Sequence, residues 1–246
     1  MSAENFRIEM QLFAEPLSLE GPIPNGPIRI DEALPFFRRL DDAAIGRAVG
    51  QVEKLGESVS CQKGCSACCR AQPVPVTPPE AHALQLLVES FPVPRKTEIL
   101  GRFTDRVRRL EGAGLRETFL NRDPSMTREA ARENAMRYFR LGLVCPFLED
   151  DACGIYEHRP FVCRQYLVTS PAELCIDPFA NPVKPVPMPL RFASATLCAG
   201  ESLLGSPQYS VPLTLVLEYA EQHRETLEKT FDGEAVYSGI ASALSE

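Results

Sequence analysis

Hydrophobic and polar positions alternate from the start of the chain. Phe6, Ile8, Met10 and Leu12 are separated by Arg7, Glu9 and Gln11. A period of two predicts a strand with one buried face. Pro16 to Pro27 reads as a turn-rich linker, because Pro24 and Pro27 flank Asn25-Gly26 and remove ladder donors from any hairpin there. The period then lengthens to that of a helix. Leu34, Phe37 and Leu40 predict a short helix with Asp31 as its N-cap. Ile45, Val49, Val52 and Leu55 predict a second, stopped by Gly56.

After an extended stretch from Ala71 to Val76, Thr77 and Glu80 form a capping box. The helix it opens carries Leu84, Leu87, Val88 and Phe91. Another helix from about Arg95 turns Ile99, Phe103, Val107 and Leu110 inward. Its other side holds Arg102, Arg106, Arg108 and Arg109, which read as a solvated face, or alternatively as a docking face for an acidic partner. Asn121 to Ser125 is a turn, and a further helix carries Ala131, Ala135, Tyr138 and Leu141. Residues Cys145 to Tyr156 look like two short arms around an acidic turn. Six prolines between Pro171 and Pro189 predict irregular coil. A last helix is expected from about Pro212 to Phe231, with Leu213, Leu217, Ala220 and Leu227 inward.

The expected fold is mainly α with minor β, an irregular cysteine-rich metal-binding domain packed by amphipathic helices. Residues 1–56 would supply an N-terminal strand and helices, 57–200 the cysteine-cluster domain and 201–246 a C-terminal helical segment, all in one compact unit. With 246 residues the chain can bury a substantial core. A net charge of −7 argues against coating nucleic acid or an anionic membrane, since both need a basic footprint. No apolar run reaches the roughly 18 residues of a spanning helix. Met1-Ser-Ala-Glu-Asn lacks the basic and apolar regions of a secretory leader, so the expected location is cytoplasmic.

That location changes how nine cysteines are read. An odd number cannot pair completely, and clustered thiols in a reducing compartment point to metal or redox chemistry. Cys61, Cys65, Cys68 and Cys69 lie within nine residues. As a helix they would share an arc of about 100°. As a turn, Gly64 would let the backbone double back and Cys65-Ser-Ala-Cys68 would make a knuckle. The adjacent Cys68 and Cys69 suggest more than one ion, a bridging thiolate or a packed thiol. Cys145, Cys153, Cys163 and Cys175 are spaced too loosely for a knuckle and suit ligands on separate loops that meet in space. Arg159 and Arg164 would offset thiolate charge or form ordinary ion pairs. His158 suits a surface or supporting position, His82 and His223 structural ones, and Cys198 the core.

Cys61-Gln-Lys-Gly-Cys65-Ser-Ala-Cys68-Cys69, Cys145-Pro-Phe-Leu, Cys153-Gly-Ile-Tyr and Arg159-Pro-Phe-Val-Cys163-Arg follow one another in an order that resembles the CxxCxxCC cysteine-cluster family, also called YkgJ-like. The resemblance covers about residues 61–167. The first gap here holds three residues where the family name has two. The resemblance implies a zinc- or iron-chelating protein without a settled activity, and a similar cysteine-rich region occurs in flagellin lysine N-methylases.

The leading expectation is therefore a cytosolic protein holding zinc or an iron–sulfur cluster. Cys61, Cys65, Cys68, Cys69, Cys145, Cys153 and Cys163 would be its ligands, with Cys175 as an eighth. The alternatives are an iron–sulfur enzyme, methylase-like or of the radical S-adenosylmethionine type, and a zinc-stapled interaction module that docks through the arginine-rich helix. The chain lacks the alternating strand–helix rhythm of radical-enzyme barrels. It shows no phosphate-cradling glycine loop and no Ser-His-Asp pattern. The expected partner is a metal ion, with no nucleic acid or membrane and no protein partner identified.

Overall fold

The computed structural model of the chain describes residues 5–245, so the leader reading at Met1–Glu4 lies outside it. The strand predicted from Phe6 is β1 (Asn5–Leu12). It pairs in antiparallel register with β2 (Glu15–Pro22), from Asn5 opposite Pro22 to Leu12 opposite Glu15. The expected linker from Pro16 is thus partly a strand. Leu17 and Leu19 continue the alternation, and each strand of a two-stranded hairpin is an edge, where proline is tolerated. Phe13 and Ala14 make the turn, with φ of 54° and 63°.

A 3-10 turn, Ile30–Ala33, leads into α1 (Leu34–Lys54), one helix where the pattern suggested two. Nothing between Leu40 and Ile45 breaks it, and Leu34, Phe37, Leu40, Ala44, Ala48 and Val52 form one buried face. Leu55 ends up 77% exposed beyond the helix, before Gly56 at φ 79°. Asp31 is not the cap. Its carboxylate accepts from Arg29 Nε at 3.0 Å and lies 3.0 Å from His82 Nδ1.

β3 (Pro75–Val76) precedes α2 (Pro78–Ser90), whose Thr77–Glu80 capping box forms as the sequence predicts. α3 (Val93–Gly112), α4 (Arg116–Leu120) and α5 (Arg128–Arg140) follow. The two short arms are β4 (Leu148–Glu149) and β5 (Ala152–Cys153), turned by Asp150 and Asp151 at positive φ. α6 (Phe161–Gln165) is short, and α7 (Phe192–Leu204) comes after the proline-rich coil. β6 (Val211–Pro212) pairs with β3. The long helix expected after Pro212 is instead a 3-10 turn, α8 (Val216–Gln222) and α9 (Arg224–Leu227). It breaks at His223, whose φ is −110° and whose ring stacks on Tyr219 at 4.0 Å. α10 (Gly233–Ala243) closes the order. The fold is mainly α, with three two-stranded sheets among the described residues.

Two large hydrophobic clusters hold these elements, with a small third one of Ala48, Val52 and Val186 at the end of α1. The first packs the β1–β2 hairpin, the front of α1, Phe161, α7 and α10. The second packs α2, α3, Leu120, Tyr138, Phe147, Ile155 and Leu213 to Val216. α6 lies where they adjoin, with Phe161 stacked on Phe192 of the first.

Candidate metal centre

The first cysteine segment is a turn rather than a helix. Cys65 N donates to Gln62 O at 2.9 Å, and Gly64 takes a φ of 97°, which a side chain would resist. A 3-10 turn, Cys68–Arg70, follows, with Cys69 N bonded to Ser66 O. The segment is tied at both ends. Ser60 N donates to Val168 O at 2.9 Å, and Cys145 N donates to Cys69 O at 2.7 Å. The second bond brings residues 76 positions apart into direct backbone contact.

The β4–β5 hairpin carries Cys153 opposite Leu148, and Gly154 N closes onto Phe147 O at 2.9 Å. Cys163 stands on α6, whose first turn is held by Glu80: Phe161 N donates to Glu80 Oε1 at 2.7 Å. Together these ties turn Cys61, Cys65, Cys68, Cys69, Cys145, Cys153 and Cys163 onto one cavity of about 90 Å³. Tyr138, Tyr156, Arg159, Tyr166 and Gln72 also line it. Cys175 is buried and does not line it, although Gln72 Nε2 donates to its carbonyl at 3.0 Å. Cys198 is exposed on α7, not in the core, because the buried face there runs through Phe192, Ala195 and Ala199. His158 is exposed and lines no part of the cavity.

All nine cysteines are unpaired. Burial pushes the Cys145 thiol up to about 12 and raises those of Cys61, Cys153 and Cys163. The neighbouring Cys69 side chain, then burial, raises Cys68 far above the ordinary thiol range. Burial likewise raises the Cys175 thiol, with Cys61, Cys68 and Cys65 adding to it. Among the described residues, no three His, Cys, Asp or Glu side chains stand close enough to hold a metal ion as placed. The thiols ring the cavity rather than close on one point.

Arg108 is exposed, as expected of a solvated face, but the other three arginines named on α3 are not simply solvated. Arg102 Nη1 donates to Leu148 O at 2.9 Å, Arg106 Nε to Val144 O at 3.1 Å and Arg109 Nη2 to Leu141 O. Three guanidinium groups thus hold the carbonyls that flank Cys145. Sequence periodicity finds the polar face of α3 but not what covers it. Arg164, beside Cys163, pairs with Asp42 and stands 3.5 Å from Asp41, so it is an ordinary ion pair, whereas Arg159 faces the thiols.

Residues 60–179 match the family CxxCxxCC, described as a putative zinc- or iron-chelating domain. The description supports metal binding. No curated protein and no solved structure matches the chain. No helix of the described residues is long and apolar enough to cross a membrane.

Proposed function

We propose that the chain is a thiolate metal-binding protein. Cys61, Cys65, Cys68, Cys69, Cys145, Cys153 and Cys163 would bind zinc or an iron–sulfur cluster, with Cys175 behind them as an eighth donor. The observation that carries this reading is the convergence of seven thiols from separate segments on one cavity. The donor set suits the purpose, since thiolate sulfur is the ligand of structural zinc and of iron–sulfur clusters. A cysteine side chain has one rotatable bond before its sulfur, so a change of rotamer moves the sulfur inward without moving the backbone. A ring too wide for one ion as placed favours a polynuclear centre over a single closed zinc cage. Bound zinc would hold the loops together, and bound iron–sulfur would add electron transfer. A reducing compartment, such as the cytosol, would keep these thiols available.

The rival readings have less support. An interaction module docking through α3 would need arginines that already hold the Cys145 segment. A radical enzyme of the barrel type would need a parallel sheet, and the described residues contain only two-stranded antiparallel pairs.

Anaerobic purification followed by zinc, iron and acid-labile sulfide analysis tests the proposal. Stoichiometric metal is expected. Cys68→Ser and Cys163→Ser should each lose at least half of it, while Cys198→Ser keeps it all. A folded, fully reduced protein that takes up neither zinc nor iron would end the proposal.

A further inference from the structure

The metal reading leaves one wall of the cavity, around Arg159, without a role. Space of roughly 10–15 Å³ admits one water. The thiol-lined cavity offers about 90 Å³, more than a single metal ion fills. Its wall is mixed: Val74, Leu143, Ile155 and Leu213 supply hydrocarbon, and no carboxylate of the described residues lines it.

Among the described residues, Arg159 is the one cation in that wall. Its guanidinium is fixed twice, by Nε donating to Tyr156 O at 3.1 Å and by stacking 3.8 Å from the Tyr156 ring centroid. Among the described residues it makes no ion pair, and no protein acceptor meets Nη1 or Nη2, the thiols included. Lys63 stands over the same ring at 5.2 Å. Balancing thiolate charge would need only a cation nearby. A planar fork held rigid with its paired donors free is the arrangement that receives a carboxylate through two parallel hydrogen bonds.

We propose that the cavity binds a small organic carboxylate next to the metal. Its carboxylate sits on the Arg159 fork and its hydrocarbon lies along Val74, Leu143 and Leu213. This inference rests on the metal reading. It makes Arg159 a ligand-binding residue rather than a spectator of the thiolates, and it assigns the cavity a substrate or effector of stated chemistry.

The test is calorimetric titration of the anaerobically purified, metal-assayed protein with butyrate, succinate and benzoate. Butyramide and benzamide serve as neutral controls, and inorganic phosphate as a competing oxyanion. At least one carboxylate is expected to bind more tightly than its amide and than phosphate. Arg159→Gln, at equal metal content, should weaken that binding tenfold or more. Arg159→Lys should restore only part, because it returns the charge without the fork.

Equal affinity for carboxylate and amide, tighter binding of phosphate, no binding at all, or unchanged binding in Arg159→Gln would each overturn the inference. If Arg159→Gln does not fold, the comparison of butyrate with butyramide on the unaltered protein decides alone. Metal content, read first on the same sample, keeps the two claims apart. Metal without carboxylate binding overturns this inference only, whereas absence of metal overturns the reading beneath it.

Discussion

Glu80 has no solvent exposure, yet its carboxylate accepts from three donors: Thr77 N at 3.0 Å, Thr77 Oγ1 at 2.8 Å and Phe161 N at 2.7 Å. The first two complete the N-terminal cap of α2. The third starts the turn that carries Cys163. Glu80→Gln puts an amide N–H where an oxygen now accepts, so one buried donor must lose its partner. The expected loss of stability is about 1–3 kcal/mol. Thr77→Ala removes part of the cap and should cost about 1 kcal/mol, leaving the Phe161 bond intact. The two variants separate capping from site positioning. Metal affinity should fall about tenfold in Glu80→Gln and hardly move in Thr77→Ala, as read by competition with a chelator. Equal affinities would show that Glu80 serves the fold alone. The sequence shows the box from Thr77 and Glu80, but the third bond spans 81 residues and has no local signature.

At the scale of elements, the β1–β2 hairpin shows where periodicity stops being informative. Phe6 to Leu12 announces its strand because alternate residues face the core. Its partner is hidden, since Pro16 and Pro22 are residues that strands usually exclude. The turn is hidden too. Phe13 and Ala14 both adopt positive φ, where Asn-Gly would be the ordinary choice. Replacing them by Asn-Gly should therefore stabilise the hairpin by about 1 kcal/mol or more, because each L-residue there costs roughly 1–2 kcal/mol. Phe13 is 41% exposed, so little packing is lost. An unchanged urea midpoint would mean that the turn is compensated elsewhere. The same limit explains α3. Its buried stripe of Ile99, Phe103 and Leu110 is legible in the chain, whereas the Arg102, Arg106 and Arg109 contacts depend on a segment more than thirty residues away. The cysteine pattern was legible as a donor set. That Cys145 is tied to Cys69, and that Cys198 faces solvent, follow only from how the helices pack.

Across the whole molecule, buried charge joins α1 to α6, the helix that carries Cys163. Asp41 on α1, fully buried, accepts from Gln165 Nε2 at 2.8 Å and faces Arg164 Nε at 3.5 Å, too long for a good hydrogen bond. Arg38 Nε, also on α1 and buried, has no acceptor. Burial pushes the Asp41 carboxyl up to about 7, against the opposing effects of Gln165 and Arg164, because Arg164 is drawn toward Asp42. An acid whose folded pKa lies above its unfolded one binds more protons when folded, so it favours the fold at low pH. Its contribution is complete below the unfolded value near 4 and is lost as pH rises through about 7. Asp41→Asn fixes the neutral form. Relative to that variant, the unaltered protein should lose stability as pH goes from 4 to 7.5, and the difference between the two isolates Asp41 from every titration they share. Urea unfolding at half-unit pH steps measures it. A difference that stays flat, or that grows in favour of the unaltered protein as pH rises, would mean that Asp41 is ionised and paired with Arg164. The contact between α1 and α6 would then be held by an ion pair instead of a buried proton.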